Sequence, residues 1–184
     1  RVSKVGRLMK TRMILIISAL ALTGCGASEQ TPQFLGNTAS TASTQYVGQT
    51  FPDVELTKFG ESTKSTTTSL VHGKVVNLWA TWCEPCKREF GLLTSSHHID
   101  KIIAINVNDL SQSDAGLEIA NAMIAPSNGT LNVWIDSKNG LKPELPIIGL
   151  PITLAINSDG FIIDEQVGEL TDYTLARLLK AVDE

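Results

Sequence analysis

Cysteine is scarce in this chain, three in 184 residues, and that excludes a framework of several stapling disulfides. A span of the membrane is missing as well. The apolar run Met13 to Leu22 is too short for a bilayer core, which takes roughly 20 residues. Excess cationic charge is absent, with 15 Lys+Arg against 19 Asp+Glu, and this argues against nucleic acid, whose phosphates reward cationic surfaces. No internal repeat is evident. What is present is a one-domain length with 42% apolar residues, enough for a packed core.

The N-terminal stretch reads as a targeting segment. Lys4, Arg7, Lys10 and Arg12 form a basic n-region ahead of the apolar run, the pattern of a secretory signal. Leu22-Thr23-Gly24-Cys25 resembles a bacterial lipobox. That resemblance implies cleavage before Cys25 and lipid on its side chain; the alternative is an ordinary signal with an incidental cysteine. The true start is Met9 or Met13 if the first residues lie outside the reading frame. Five of the 15 Lys+Arg and none of the 19 Asp+Glu fall in residues 1–24, so 10 cations face 19 anions beyond it, a net −9. A domain so acidic does not adhere to anionic lipid unaided, and stable anchoring takes more than one acyl chain. Residues 26–46 are rich in Ser, Thr, Ala, Gly and Gln and read as a flexible tether. The expected organisation is therefore 1–24 signal, 25–46 lipidated cysteine and tether, and 47–184 folded domain.

Within that domain, Val75-Val76-Asn77-Leu78-Trp79-Ala80 reads as a buried strand, and Trp82-Cys83-Glu84-Pro85-Cys86-Lys87 follows it. Lys87-Arg88-Glu89-Phe90 opens a helix that runs to Thr94 or Ser95. A helix N-terminus carries unpaired N–H groups and partial positive charge, which favour a thiolate on Cys83, the nucleophilic form of the side chain. Cys86, one turn on, is placed to attack a mixed disulfide. A zinc half-site and a structural disulfide are the competing readings of the pair. His97 and His98 follow the helix and raise the thought of copper or zinc; adjacent histidines there are ordinarily surface residues, and no metal is expected. Lys87 stands where a haem attachment motif needs histidine.

The stretch Asn77 to Phe90 resembles the active-site segment of the ResA/TlpA group of membrane-anchored, extracytoplasmic thiol–disulfide oxidoreductases. Gly48-x-x-Phe51-Pro52-Asp53-Val54-x-Leu56 resembles the opening of the same family. The resemblance covers about residues 47–184. It implies an α/β thioredoxin-like fold, a mixed central sheet flanked by helices, with an N-terminal β-hairpin drawn from Gly48–Leu56 and the Thr-rich stretch Ser62–Thr68. It implies that Cys83 attacks and Cys86 resolves, and that Leu150-Pro151 is a cis bond opposite the dithiol, with Pro146 as rival. Pro151 and Leu150 then shape a substrate groove, with Trp82 and Pro85 beside it, and the Leu150 backbone is left to pair with a substrate. In cytoplasmic thioredoxins a buried aspartate matches Asn77. An amide cannot act as a base, so Glu84 is the nearest carboxylate in sequence, unless it is a solvated first-turn acid.

The rest of the chain reads as Lys101–Val107 and Leu131–Ile135 strands, a helix over Ser113–Ile124, and a turn over Ser137–Leu145. Ile152–Ile156 and Phe161–Val167 are strands about an Asn157-Ser158-Asp159-Gly160 turn, and a C-terminal helix begins after Thr171. The expected activity is reduction of protein disulfides, apocytochrome c among them by resemblance, without a cofactor. The partners implied are protein disulfide substrates, a membrane thiol donor and the membrane through lipid on Cys25, for a monomer facing the periplasm or cell exterior. A disulfide-forming oxidase and a copper- or zinc-binding module are the alternatives.

Overall fold

The computed structural model describes residues 45–108, 110 and 114–184. The expectations on residues 1–24, on the lipidation of Cys25 and on the tether up to residue 44 lie outside the described residues.

Among the described residues the strands form one sheet, in the order β2-β1-β5-β4-β3-β6-β7. These are β1 Glu55–Lys58, β2 Lys64–Thr66, β3 Lys74–Trp79, β4 Ile102–Asn106, β5 Asn132–Ile135, β6 Ile152–Ile156 and β7 Ile162–Val167. β3 is parallel to β4, and β4 to β5. β6 and β7 add antiparallel on one side, and β1 and β2 on the other. The helices are α1 Thr67–Val71, α2 Glu84–Ser95, α3 Asp114–Ile124, α4 Leu141–Glu144 and α5 Asp172–Ala181.

β3 lies inside the sheet, between β4 and β6, and its residues from Val75 to Trp79 are buried on both faces. Val75 and Trp79 pack with Phe90 and Leu93 of α2 and with Leu175 and Leu178 of α5. Val76 and Leu78 point into a second core with Val71, Leu141 and Leu154. Trp79 meets Phe90 edge-on, with ring centroids 4.7 Å apart, a contact worth about 1 kcal/mol beyond its burial. The strand that delivers the dithiol and the helix that carries it are thus locked together directly under the site.

The N-terminal expectations need correction in detail. Residues 48–51 do not pair as part of β1. They lie along β7, with Gly48 N–H donating to Ile162 O at 2.8 Å and Ile162 N–H to Gln49 O at 2.8 Å. The Thr-rich stretch leaves the sheet at Thr66, because the Thr67 hydroxyl donates to Pro52 O and accepts from Val54 N–H. A threonine that serves the backbone in this way favours a helix start over a ladder. Among the described residues, packing begins at Tyr46, within the stretch read as tether. Tyr46 is fully buried, its hydroxyl donates to Pro146 O at 2.7 Å, and the Glu165 carboxylate accepts the N–H groups of Gln45, Tyr46 and Val47. An aromatic among polar neighbours is easily read as tether; here it closes the second core.

Candidate active site

α2 begins at the end of β3, after the short turn Ala80–Trp82. Cys83 occupies the N-cap position, with extended backbone, and its Sγ accepts the N–H of Cys86 at 3.2 Å. Pro85 sits in the first turn, where its missing N–H costs nothing. Cys86, Glu89, Phe90 and Leu93 form the buried face of the helix. Cys83 and Cys86 are joined, with Sγ–Sγ at 2.09 Å and Cα–Cα at 5.3 Å. Cys86 is fully buried and Cys83 only 4% exposed, so Cys83 is the sulfur nearer water. The Leu150–Pro151 bond is cis and the Pro146 rival is not.

The turn before the dithiol is held from below. Asn106, at the end of β4, accepts the N–H of Asn108 at 3.1 Å, and Asn108 accepts the N–H of Thr81 at 3.1 Å. Sequence reasoning passed over both asparagines; the signal available was two amides at the C-terminal end of a buried strand running parallel to β3.

Trp82 is 68% exposed, an unusual state for so large an apolar ring. It lines a groove of about 250 Å³ with Val107, Asn108, Lys142, Ile148 and Leu150. Ile148 is 75% exposed. Among the described residues no hydrogen bond engages the Leu150 backbone. The groove is therefore apolar, carries one cation, and ends at an open stretch of main chain.

The two carboxylates of α2 differ sharply. Glu84 is exposed and paired with Lys87. Glu89, which the sequence reading did not single out, is 1% exposed. Its Oε1 accepts Asn77 Nδ2 at 2.8 Å and its Oε2 accepts the Leu170 N–H at 2.7 Å. Burial pushes its pKa up to about 7, against those two hydrogen bonds, and the nearby Glu169 charge adds to the rise. The missed signal was positional: Glu89 lies three residues beyond Cys86, on the same face of a helix. Asn77 is a fully buried amide that also donates to Thr153 Oγ1 at 2.9 Å.

His97 and His98 lie at the far end of α2. Among the described residues no group of three or more His, Cys, Asp and Glu side chains is placed to hold a metal ion. Among them, too, no helix is long and apolar enough to cross a membrane.

A buried dithiol at a helix N-terminus, beside an exposed indole and above a buried acid of raised pKa, is equipped to exchange electrons through sulfur. No family model matches the chain. Sporulation thiol-disulfide oxidoreductase A of Bacillus subtilis is 29% identical over 53% of this chain and 60% of its own length. Thiol:disulfide interchange protein DsbE of Vibrio cholerae is 28% identical over 88% of this chain and 86% of its own. Thiol-disulfide oxidoreductase ResA of Bacillus subtilis is 27% identical over 54% and 55%. The chain is a homologue of the bacterial thiol–disulfide oxidoreductases. The fold agrees: the crystal structure of a putative DsbE from Chlorobium tepidum superposes with a TM-score of 0.55 over 76% of this chain and 99% of that one, at 22% identity. The mixed sheet flanked by helices is thus thioredoxin-like.

Proposed function

We propose that this homologue is an extracytoplasmic reductase of protein disulfides, with Cys83 as nucleophile and Cys86 as resolving cysteine. The observation that carries the reading is the Cys83 Sγ at the helix N-cap, accepting the Cys86 N–H. In the reduced form the same N–H and the helix dipole stabilise a Cys83 thiolate. That thiolate attacks one sulfur of the substrate disulfide. A Cys83–substrate bond forms, the substrate S–S bond breaks, and one substrate sulfur leaves as thiolate. Cys86 gives its proton to Glu89, attacks Cys83 Sγ, and closes the Cys83–Cys86 bond while the second substrate thiolate departs. Two electrons pass from the dithiol to the substrate.

The direction of flow follows from charge. Glu84 lies between the cysteines, exposed and paired with Lys87, while the carboxylate of Glu89, one turn beyond them, is buried and met by Asn77 and Leu170. A carboxylate beside the pair offsets part of the thiolate stabilisation that the N-cap supplies, and a dithiol whose reduced form is less stabilised gives its electrons away more readily. A spent reductant must be reduced again, which calls for a membrane thiol donor. Trp82, Pro85, Leu150 and Pro151 form the surface on which the substrate peptide lies, and apocytochrome c is the substrate class that the resemblance to ResA and DsbE favours. Residues 1–24 act as signal and Cys25 as the lipid-bearing anchor of a bacterial lipoprotein.

The direct test is Cys86→Ala, which leaves Cys83 without its resolving partner. The variant is expected to accumulate a Cys83 mixed disulfide with its substrate, identifiable by mass spectrometry. Failure of Cys83 to form any mixed disulfide sinks the reading.

A further inference from the structure

Asn77 and Thr153 face each other across the β3–β6 register, and both are fully buried. The Asn77 Nδ2 has two hydrogens and two oxygens to meet: Glu89 Oε1 at 2.8 Å and Thr153 Oγ1 at 2.9 Å. The Asn77 Oδ1, on the other side of the amide, is buried and has no partner. One edge of this side chain therefore carries all its bonding, and the opposite edge carries none.

That arrangement serves a charged Glu89 in full, and gives the proton of a neutral one no acceptor on Asn77. A carboxylate only accepts, and it is served by Leu170 N–H on one oxygen and Asn77 Nδ2 on the other. A protonated Glu89 has an O–H that must donate, and an NH2 group cannot receive it. Turning the amide by half a rotation about its last side-chain bond replaces the NH2 with the carbonyl oxygen. Its two lone pairs then accept the Glu89 O–H and the Thr153 O–H, since a hydroxyl can donate as readily as accept. The same edge is saturated in both states, and the backbone does not move.

We propose that Asn77 is a positioning residue whose amide shows its NH2 to Glu89 and Thr153 while Glu89 is charged, and turns to show them its carbonyl when Glu89 takes a proton. The two orientations are unequal. One leaves an unpaired buried carbonyl on the idle edge, the other an unpaired buried NH2, and unpaired N–H groups are the less tolerated. Asn77 therefore favours the charged acid and opposes the burial that favours the neutral one. The use of that proton, its transfer from Cys86, rests on the reading given under Proposed function; the turning amide does not.

The groups around Glu89 can be named element by element. β3 and β6 offer Asn77 and Thr153, neither ionisable. The segment before α5 offers Leu170 N–H and Glu169, and Glu169 is held by Arg88 of α2 at 2.6 Å. α2 itself adds Cys86 on reduction. Of the side chains that hydrogen-bond Glu89 directly, Asn77 is thus the one that can exchange a donor for an acceptor by turning, with the Thr153 hydroxyl following it.

The test uses the whole oxidised chain, in which the disulfide does not titrate. The Glu89 carboxyl carbon and the Asn77 side-chain NH2 are followed by NMR from pH 5 to 9. Both resonances are expected to move with one midpoint. Asn77→Leu is expected to raise the proton affinity of Glu89 at least tenfold. Thr153→Val, a change that keeps the fold if Asn77→Leu does not, is expected to raise it by a smaller factor and to weaken the Asn77 response. An Asn77 NH2 signal that stays fixed while Glu89 titrates overturns the proposal, and so does a Glu89 midpoint unmoved in both variants. Either failure leaves thiol exchange by Cys83 and Cys86 untouched, because no thiol takes part in the measurement.

Discussion

The Leu170 N–H donates to Glu89 Oε2 at 2.7 Å, tying the dithiol helix to the segment that leads into α5. The contact joins two parts of the chain far apart in sequence, and it places a backbone donor on a carboxylate that has almost no access to water. Glu89 is consequently at once part of the core and a titrating group. Its pKa of about 7 makes it sensitive to pH where ordinary carboxylates are not.

A stability test follows with a definite sign. In the unfolded chain Glu89 binds its proton with the ordinary glutamate pKa, roughly 4.3; in the folded protein it does so at about 7. Between these values the folded state holds more protons, so stability falls as pH rises. The contribution is intact below the unfolded pKa and is lost on passing the folded one. Its size is on the order of 3 kcal/mol. Denaturant unfolding of the oxidised protein at pH 5 and pH 8.5 is expected to show this loss in wild type and little of it in Glu89→Gln. Equal losses in both proteins contradict the assignment.

The placement of Tyr46 makes a second expectation. Tyr46→Ala removes a fully buried ring and is expected to cost about 3–5 kcal/mol. Tyr46→Phe removes only the hydroxyl that donates to Pro146 O and is expected to cost about 1 kcal/mol. Chemical denaturation of the two variants separates packing from the hydrogen bond. A negligible cost for the alanine variant returns residue 46 to the tether.

Much of this was legible beforehand, and the reasons are local. The run from Val75 to Trp79 is apolar apart from Asn77, as an interior strand is, and Cys83-Glu84-Pro85-Cys86 carries its own cap and its own first-turn proline. Ile152–Ile156 announced itself by the proline before it and the Asn-Ser-Asp-Gly turn after it. What stayed hidden depended on pairing at a distance. Glu89 reads as a helix-surface acid until Leu170 and Asn77 are brought to it from other elements. Tyr46 reads as linker until Glu165 supplies three acceptor contacts to the backbone around it. The α3 helix was expected from apolar positions at helical spacing, yet only Ala120 of it is buried, because spacing reports a stripe and not what covers the stripe.

Trp82 carries a third expectation. The ring is mostly exposed, so Trp82→Ala is expected to change folding stability by no more than about 0.5 kcal/mol. Contact with a substrate peptide in the groove is a different matter. Reduction of a peptide disulfide with bulky apolar residues beside its cysteines is expected to slow about tenfold, equivalent to about 1.4 kcal/mol of lost apolar contact. Stopped-flow measurement of the first exchange step checks it. An unchanged rate with such a peptide removes Trp82 from the substrate surface.

The most direct measurement is the equilibrium reduction potential of the Cys83–Cys86 pair, taken in dithiothreitol and glutathione buffers on the whole chain. The account predicts a reversible two-electron titration at a potential more reducing than about −230 mV, in the direction of thioredoxin and away from the strong oxidants. A potential near −120 mV, where the reduced form is stabilised, or no reversible titration at all, contradicts it.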